Sequence, residues 1–153
     1  MILVLGMLLS AAAGRLHAQK PEIIKMSQVT AWDLADNDTL YVLNFWATWC
    51  KPCVAEMPYF EQVQREMEAL KVKVIFISMD FRNEYDKRLV PFVNRKKLYS
   101  KVVLLDEPKY NEWIDKVSTA WSGAIPATLI VQHSKGIRAF HEGEFTYESL
   151  KTK

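Results

Sequence analysis

Hydrophobic positions along the chain alternate between two periods. Tyr41 to Trp46 is a continuous apolar run broken only by Asn44. Such a run predicts a central strand buried on both faces. The same pattern returns at Val72 to Ser78, at Val102 to Leu105 and at Thr128 to Gln132. Between these runs the spacing becomes helical. Met57, Phe60, Val63, Met67 and Leu70 predict a helix from Pro52 to about Leu70, which Pro58 should kink by removing one backbone bond. A second helix is expected from Asn83 or Glu84 to about Lys96, and a third from Glu107 to Lys116 with Pro108 in its first turn. Ahead of the first strand lies one helix-like fragment, Gln28 to Leu34, with Ser27 as its cap and a turn at Asp36 to Asp38. After the fourth strand, His133 to Gly136 predicts a hairpin turn with Ile137 to His141 as the partner strand, and Thr146 opens a last helix running to Lys153. The order is a βαβ opening, a second βα unit, then a hairpin and a helix. That is an α/β fold whose first two strands are parallel with a right-handed crossover.

The N-terminal run Ile2 to Gly14 is apolar and rich in small residues. It falls short of the roughly 20 residues a spanning helix needs. It suits a secretory leader over residues 1–18, with Leu16-His17-Ala18 as the cleavage site before Gln19, although the n-region carries only the Met1 amino group. A membrane anchor or a buried element is the alternative. No cysteine follows the run, which argues against a lipid anchor. Export would place residues 27–153, the expected folded domain, in an oxidising compartment. The 153 residues are half hydrophobic and a quarter charged, enough for one domain with a substantial core. A net charge of +2 does not suggest nucleic acid as a partner. The basic run Arg95-Lys96-Lys97 is read as a helix C-terminus complementing the dipole.

Both cysteines, Cys50 and Cys53, stand where the first strand turns into the first long helix. With Pro52 in the first turn, Cys50 sits under unsatisfied N–H groups at the positive end of the helix dipole. Lys51 adds a cation beside it. These influences favour a thiolate, the nucleophilic form. Cys53, one turn deeper, is placed to resolve a mixed disulfide formed at Cys50. A CxxC pair can also be half of a zinc site or an inert structural disulfide. Zinc would need further ligands, and His17, His133 and His141 show no paired spacing. Glu56 follows Cys53 at i,i+3 and could move protons as the thiols cycle; otherwise it is a solvated helix-face glutamate. Trp46 is expected in the core, and Trp49 beside the cysteines or against substrate. Trp113 and Trp121 fit either the rim of the site or the core, and His133 and His141 the surface.

The segment Phe45 to Pro58, FWATWCKPCVAEMP, resembles the active-site stretch of the thioredoxin superfamily, and its continuation is similar to the TlpA/ResA-type extracytoplasmic thiol-disulfide oxidoreductases. The resemblance runs from about Ser27 to the C-terminus. It rests on Trp49 to Cys53, on Glu56 with Pro58, and on Gly123 to Thr128, which resembles the cis-proline loop facing the cysteines. Asn44 departs from the buried aspartate of cytoplasmic thioredoxin and agrees with the TlpA/ResA pattern. The resemblance implies a thioredoxin-like fold, a central mixed sheet flanked by helices, with an inserted helix and strand before the proline loop. It implies Pro126 as the cis-proline, with Ile125 offering its backbone to an extended substrate. Trp49, Lys51 and Pro52 would border that substrate, and Glu56 would serve the thiols. The activity implied is disulfide reduction in exported proteins of the periplasm, with electrons from a membrane thiol-disulfide exchanger and cytochrome c maturation as one pathway. No cofactor or metal is required, and a monomer is expected.

Two other functions stay open. A thiol peroxidase of the same superfamily would carry Thr or Ser three residues before the nucleophile, where this chain has Ala47, with Thr48 displaced by one. A copper-binding metallochaperone would use a wider cysteine spacing and a distant histidine.

Overall fold

The computed structural model describes residues 20–153; the expected leader lies outside them. Among the described residues no helix is long and apolar enough to cross a membrane. Six strands form one sheet: β1 (Glu22–Ile24), β2 (Leu40–Trp46), β3 (Val72–Ser78), β4 (Lys101–Leu105), β5 (Ala127–Gln132) and β6 (Ile137–Glu142), in the order β1-β4-β3-β2-β5-β6. β1, β4, β3 and β2 are mutually parallel, while β5 runs antiparallel to β2 and β6 antiparallel to β5. Helices α2 (Lys51–Met67), α3 (Val90–Lys96) and α5 (Tyr147–Lys151) cover one face, and α1 (Met26–Asp33) and α4 (Ile114–Val117) the other. Both faces of β2 are therefore covered, which accounts for its apolar run. Val42 and Trp46 pack toward α2, and Tyr41, Leu43 and Phe45 toward the opposite face.

α2 contributes the largest apolar share on its side: Cys53, Met57, Phe60 and Val63 are buried. Fully burying a Phe or Leu side chain is worth about 1.5–3 kcal/mol, so this stripe anchors the helix firmly. α2 continues through Pro58, whose ring leaves the Val54 carbonyl without its in-helix donor. Two polar side chains of α2 also face inward and complete the sheet. β4 begins opposite Ile75, so residues 72–74 of β3 lack a neighbour on that side. The Gln64 amide fills the gap: its Oε1 accepts from the Val74 N–H at 2.7 Å and its Nε2 donates to the Val72 carbonyl at 3.3 Å. Glu61 accepts from the Tyr99 and Ser100 N–H groups at 2.7 and 2.9 Å, fixing the entry into β4.

Several expected elements differ in the structure. β1 is a strand that the sequence pattern does not reveal: three residues long, with only Ile24 buried, it has almost no periodicity to read. α1 starts at Met26 rather than behind Ser27, and Lys25 at its cap makes no side-chain bond. Glu107, just past the end of the neighbouring β4, accepts from the Met26 N–H instead. The helix expected up to Lys96 is divided into a 3-10 turn at Arg82–Glu84, a π turn at Tyr85–Leu89, and α3. Pro91 explains the wide turn, because its ring would meet the Lys87 carbonyl in a regular α-helix. The helix expected over Glu107–Lys116 is a 3-10 turn at Tyr110–Glu112 followed by the short α4. There Trp113 leaves helical geometry at φ −138° to drive its ring into the core, its Nε1 donating to the Glu107 carbonyl at 3.0 Å. α5 begins behind Thr146, which forms a capping box with Ser149, and ends at Lys151.

Candidate active site

Strand β2 ends at Trp46 and the chain turns through Ala47 to Trp49. Asp80, just past β3, holds that turn: its carboxylate accepts from the Thr48 N–H at 3.0 Å and from the Thr48 hydroxyl at 2.6 Å, and is itself braced by the Ser78 hydroxyl at 2.7 Å. Nothing in the sequence around Asp80 marks it out. Its positioning role needs the juxtaposition of two parallel strand ends, which no local signal announces.

Cys50 occupies the N-cap of α2, and its Sγ accepts from the Cys53 N–H at 3.3 Å. The two cysteines form a disulfide, with Cα atoms 5.3 Å apart. Cys53 is fully buried and Cys50 is 6% exposed, so of the pair only Cys50 borders solvent. Lys51 is exposed and Pro52 half-buried in the first turn. Among the described residues no group of three or more His, Cys, Asp and Glu side chains is arranged to hold a metal.

Facing the disulfide, the Ile125–Pro126 peptide is cis and the Ile125 carbonyl lies 3.8 Å from Cys50 Sγ. This loop is held from three sides. The Gly143 N–H donates to the Pro126 carbonyl at 2.9 Å. Glu142 accepts from the Ser122 N–H and hydroxyl at 2.7 and 2.6 Å, and these bonds hold its carboxyl below the usual range. Trp121 donates from Nε1 to the Ala124 carbonyl at 2.7 Å. Trp113 and Trp121, 3% and 4% exposed, belong to the core and not to the rim. Trp121 nevertheless supports the loop from beneath. Trp46 is fully buried. His133 is exposed, and His141 is half-buried with its ring 4.3 Å from that of Phe145.

Trp49 and Phe81 are exposed aromatics, 56% and 60%, on either side of a cleft of about 360 Å³ floored by Met79, Ile114 and Ile125. Gly123 also lines it, at φ +93°; a Cβ there would stand 3.2 Å from Ile114 Cδ1, so glycine meets both the backbone conformation and the close approach.

Glu56 is not a solvated helix-face residue: it is 2% exposed, on the same buried side of α2 as Cys53. Asn44 Nδ2 donates to Glu56 Oε1 at 3.0 Å and to Thr128 Oγ1 at 3.1 Å, while the Phe145 N–H donates to Glu56 Oε2 at 2.7 Å. Asn44 and Thr128 are opposite each other in the β2–β5 register, so the sheet itself builds the polar niche. Burial pushes the Glu56 carboxyl up to about 7, against the opposing N–H donors, with the charge of Glu144 adding to the rise. The carboxyl can thus hold or release a proton near neutrality.

A buried CxxC disulfide at a helix N-cap, facing a cis-proline loop across a mixed sheet, defines a thioredoxin-like redox fold. The profile of the AhpC/TSA family matches residues 16–140, and the chain belongs to that family, as a TlpA/ResA-type member of the thioredoxin superfamily. It is 31% identical over 112 residues to the thioredoxin-like protein YneN of Bacillus subtilis, covering 73% of this chain and 61% of that protein. It is 31% identical over 113 residues to the thiol-disulfide oxidoreductase ResA of Bacillus anthracis, covering 71% and 58% respectively. These alignments span less than two thirds of either relative. Solved structures share the fold: StoA from Bacillus subtilis, at 22% identity and TM-score 0.59, covers 77% of this chain and 84% of its own. A thioredoxin-related protein from Neisseria meningitidis gives 20% identity and TM-score 0.65 with the same coverage.

Proposed function

We propose that the protein is an extracytoplasmic thiol-disulfide oxidoreductase that reduces disulfides in exported proteins. The observation that carries this reading is the Cys50–Cys53 disulfide at the start of α2 with the Ile125 carbonyl 3.8 Å from the outer sulfur. In the dithiol form, the Cys50 thiolate attacks one sulfur of a substrate disulfide. That bond breaks, a Cys50–substrate mixed disulfide forms, and the first substrate thiolate leaves and takes a proton. Cys53 then gives up its proton, attacks Cys50 Sγ, and the second substrate thiol departs. Two electrons pass from the cysteine pair to the substrate. A dithiol donor must return them; a membrane thiol-disulfide exchanger would serve, and cytochrome c maturation is one pathway in which such reduction is used. Glu56, buried on the side of Cys53, acts as the carrier of the Cys53 proton. Ile125 and Pro126 present backbone to an extended substrate, while Trp49, Lys51 and Pro52 border it. The names of the ResA relatives, and the Ile2–Gly14 run as a leader, support the activity and the location.

The peroxidase alternative has less support, because the Thr48 hydroxyl is turned to Asp80 at 2.6 Å. The copper alternative has none from His133, which is exposed on the far hairpin turn.

The test is trapping. Cys50→Ala is expected to abolish reduction of a protein disulfide such as that of insulin, and Cys53→Ala to accumulate a mixed disulfide, read by non-reducing electrophoresis. Trapping by the Cys50→Ala protein alone would reverse the two roles. Loss of peroxide with no reduction of insulin would favour the peroxidase reading.

A further inference from the structure

The charges of this molecule are unevenly neutralised. Lys25, Arg65, Lys71, Lys101, Lys109 and Arg138 each pair with a carboxylate. Residues 87–97, the end of the π turn, α3 and its C-cap, hold five cations and no acid. Arg88 is bridged to Glu84. Lys87, Arg95, Lys96 and Lys97 are exposed and, like Lys51 beside the disulfide, make no ion pair among the described residues. Arg95 and Lys96 lie over the buried Phe92 ring at 5.7 and 5.8 Å, which holds their stems against α3.

These cations border the turn that leads into Cys50. A hollow of about 250 Å³ is walled by Lys87, Pro91 and Arg95 on one side and by Thr48, two residues before Cys50, on the other. A second, of about 210 Å³, lies between Val54, Pro58 and the paired Glu61 and Arg65 of α2 on one side and Lys96 and Lys97 on the other. The nearby Asp80 makes no ion pair with them: it is 4% exposed, and its oxygens accept from Thr48 and Ser78.

We propose that the cationic face from Lys87 to Lys97, reached from Cys50 past Thr48, docks an acidic segment of the protein whose disulfide is exchanged. This rests on the exchange activity proposed above. The face runs about 15 Å, the length of ten helical residues, which an extended peptide covers in about five. The acids of a preferred substrate therefore lie within about five residues of one another, next to the cysteine that Cys50 attacks. An anionic membrane fits the face less well. Surface-lying helices insert apolar side chains, whereas here Leu89, Phe92 and Val93 are all buried beneath the cations.

The test compares the reduced protein on three disulfides: a disulfide-looped peptide flanked by glutamates, the same peptide flanked by lysines, and neutral hydroxyethyl disulfide. At about 0.01 M salt the glutamate peptide is expected to react with a kcat/KM about tenfold above that of the lysine peptide. At about 1 M salt the difference should vanish. Combined Lys87→Glu, Arg95→Glu and Lys96→Glu substitution is expected to reverse the preference, and the corresponding glutamine variant to erase it. An unchanged rate on hydroxyethyl disulfide in both variants shows the fold and the cysteine pair intact. Equal rates of the unaltered protein on both peptides would overturn the proposal while leaving the exchange reading in place. So would a peptide preference that survives charge reversal while sedimentation with phosphatidylglycerol vesicles is lost; the face would then be a lipid surface. Failure of the unaltered protein on hydroxyethyl disulfide would remove the exchange reading itself.

Discussion

Strand β2 sends neighbouring side chains into two different chemistries. On the α1/α4 face, Phe45 meets Trp121 at 4.7 Å and Trp113 at 6.4 Å, in a cluster that continues to Phe140. One position away, on the α2 face, Asn44 opens a polar niche with Thr128 and Glu56 inside an otherwise apolar layer. Both regions end at the disulfide, but they serve it differently. The aromatic cluster is geometric: its hydrogen bonds leave from its edges, Trp113 tying down Glu107 after β4 and Trp121 holding Ala124 in the loop that faces Cys50. The polar niche is electrostatic: it holds one titratable group where burial has moved its proton to neutral pH. A site that must present a rigid backbone to a substrate and also move protons can separate the two tasks by using opposite faces of one strand.

The largest effect should come from breaking the aromatic side. Trp121→Ala removes the ring and the bond to the Ala124 carbonyl, and is expected to cost about 4 kcal/mol in chemical denaturation. Against the 5–15 kcal/mol typical of a whole domain, that leaves little margin. Trp121→Phe keeps most of the packing and loses the N–H, at about 1 kcal/mol. It should still slow disulfide exchange, because the loop carrying Ile125 loses its tie. Normal exchange in Trp121→Phe would mean that the loop is set by its other ties, at Ser122 and Pro126.

The polar side should show itself through pH. Glu56 binds its proton more tightly in the fold, at about 7, than its ordinary value of 4.5. Between those values the folded state holds more protons than the unfolded one, so stability falls as pH rises through that window and levels off above it. The swing assignable to Glu56 is about 3 kcal/mol. Glu56→Gln keeps an acceptor for the Phe145 N–H and, with the Asn44 amide turned over, offers a donor to the Asn44 oxygen, but it cannot ionise. Urea midpoints measured from pH 4 to 9 should fall in the unaltered protein and stay flatter in Glu56→Gln. Parallel curves would show that the niche holds an ordinary carboxylate.

The sequence carries much of this comparison, unevenly. The runs at Tyr41–Trp46 and Val72–Ser78 match β2 and β3 almost residue for residue, because a doubly covered strand needs continuous apolar side chains. The place of Cys50 at the start of α2 was legible from Pro52 and the CxxC spacing. What was not legible depends on contacts distant in sequence. Glu56 reads as a surface residue by type, and only the Asn44–Thr128 register and the turn at Phe145 bury it. Trp113 and Trp121 read equally as rim or core until Phe45 is seen between them. Gln64 and Glu61 look like solvated positions of an amphipathic helix, yet they pair with strand and loop N–H groups left over by the offset of β3 and β4.

The finest effect couples the polar niche to the thiols. With only sequence in hand, Glu56 would be taken as ionised, its charge opposing a thiolate at all working pH values. Burial changes that. Below pH 7 the carboxyl is largely neutral and opposes nothing; above it, the charge appears close to Cys53. Ionisation of the acid and of the thiols then disfavour one another, and two groups so coupled titrate in macroscopic steps that belong to the pair. Alkylation of the reduced protein should therefore follow a pH curve broader than one proton can give. Glu56→Gln should narrow it to a single step with its midpoint about one unit lower, equivalent to about 1.4 kcal/mol of coupling. Turnover on a protein disulfide should fall in the same variant, because the Cys53 proton has lost its carrier. A curve that narrows while turnover is unchanged would leave Glu56 as an electrostatic neighbour only. Superimposable curves with unchanged turnover would separate the niche from the redox chemistry and leave it a structural feature of the sheet.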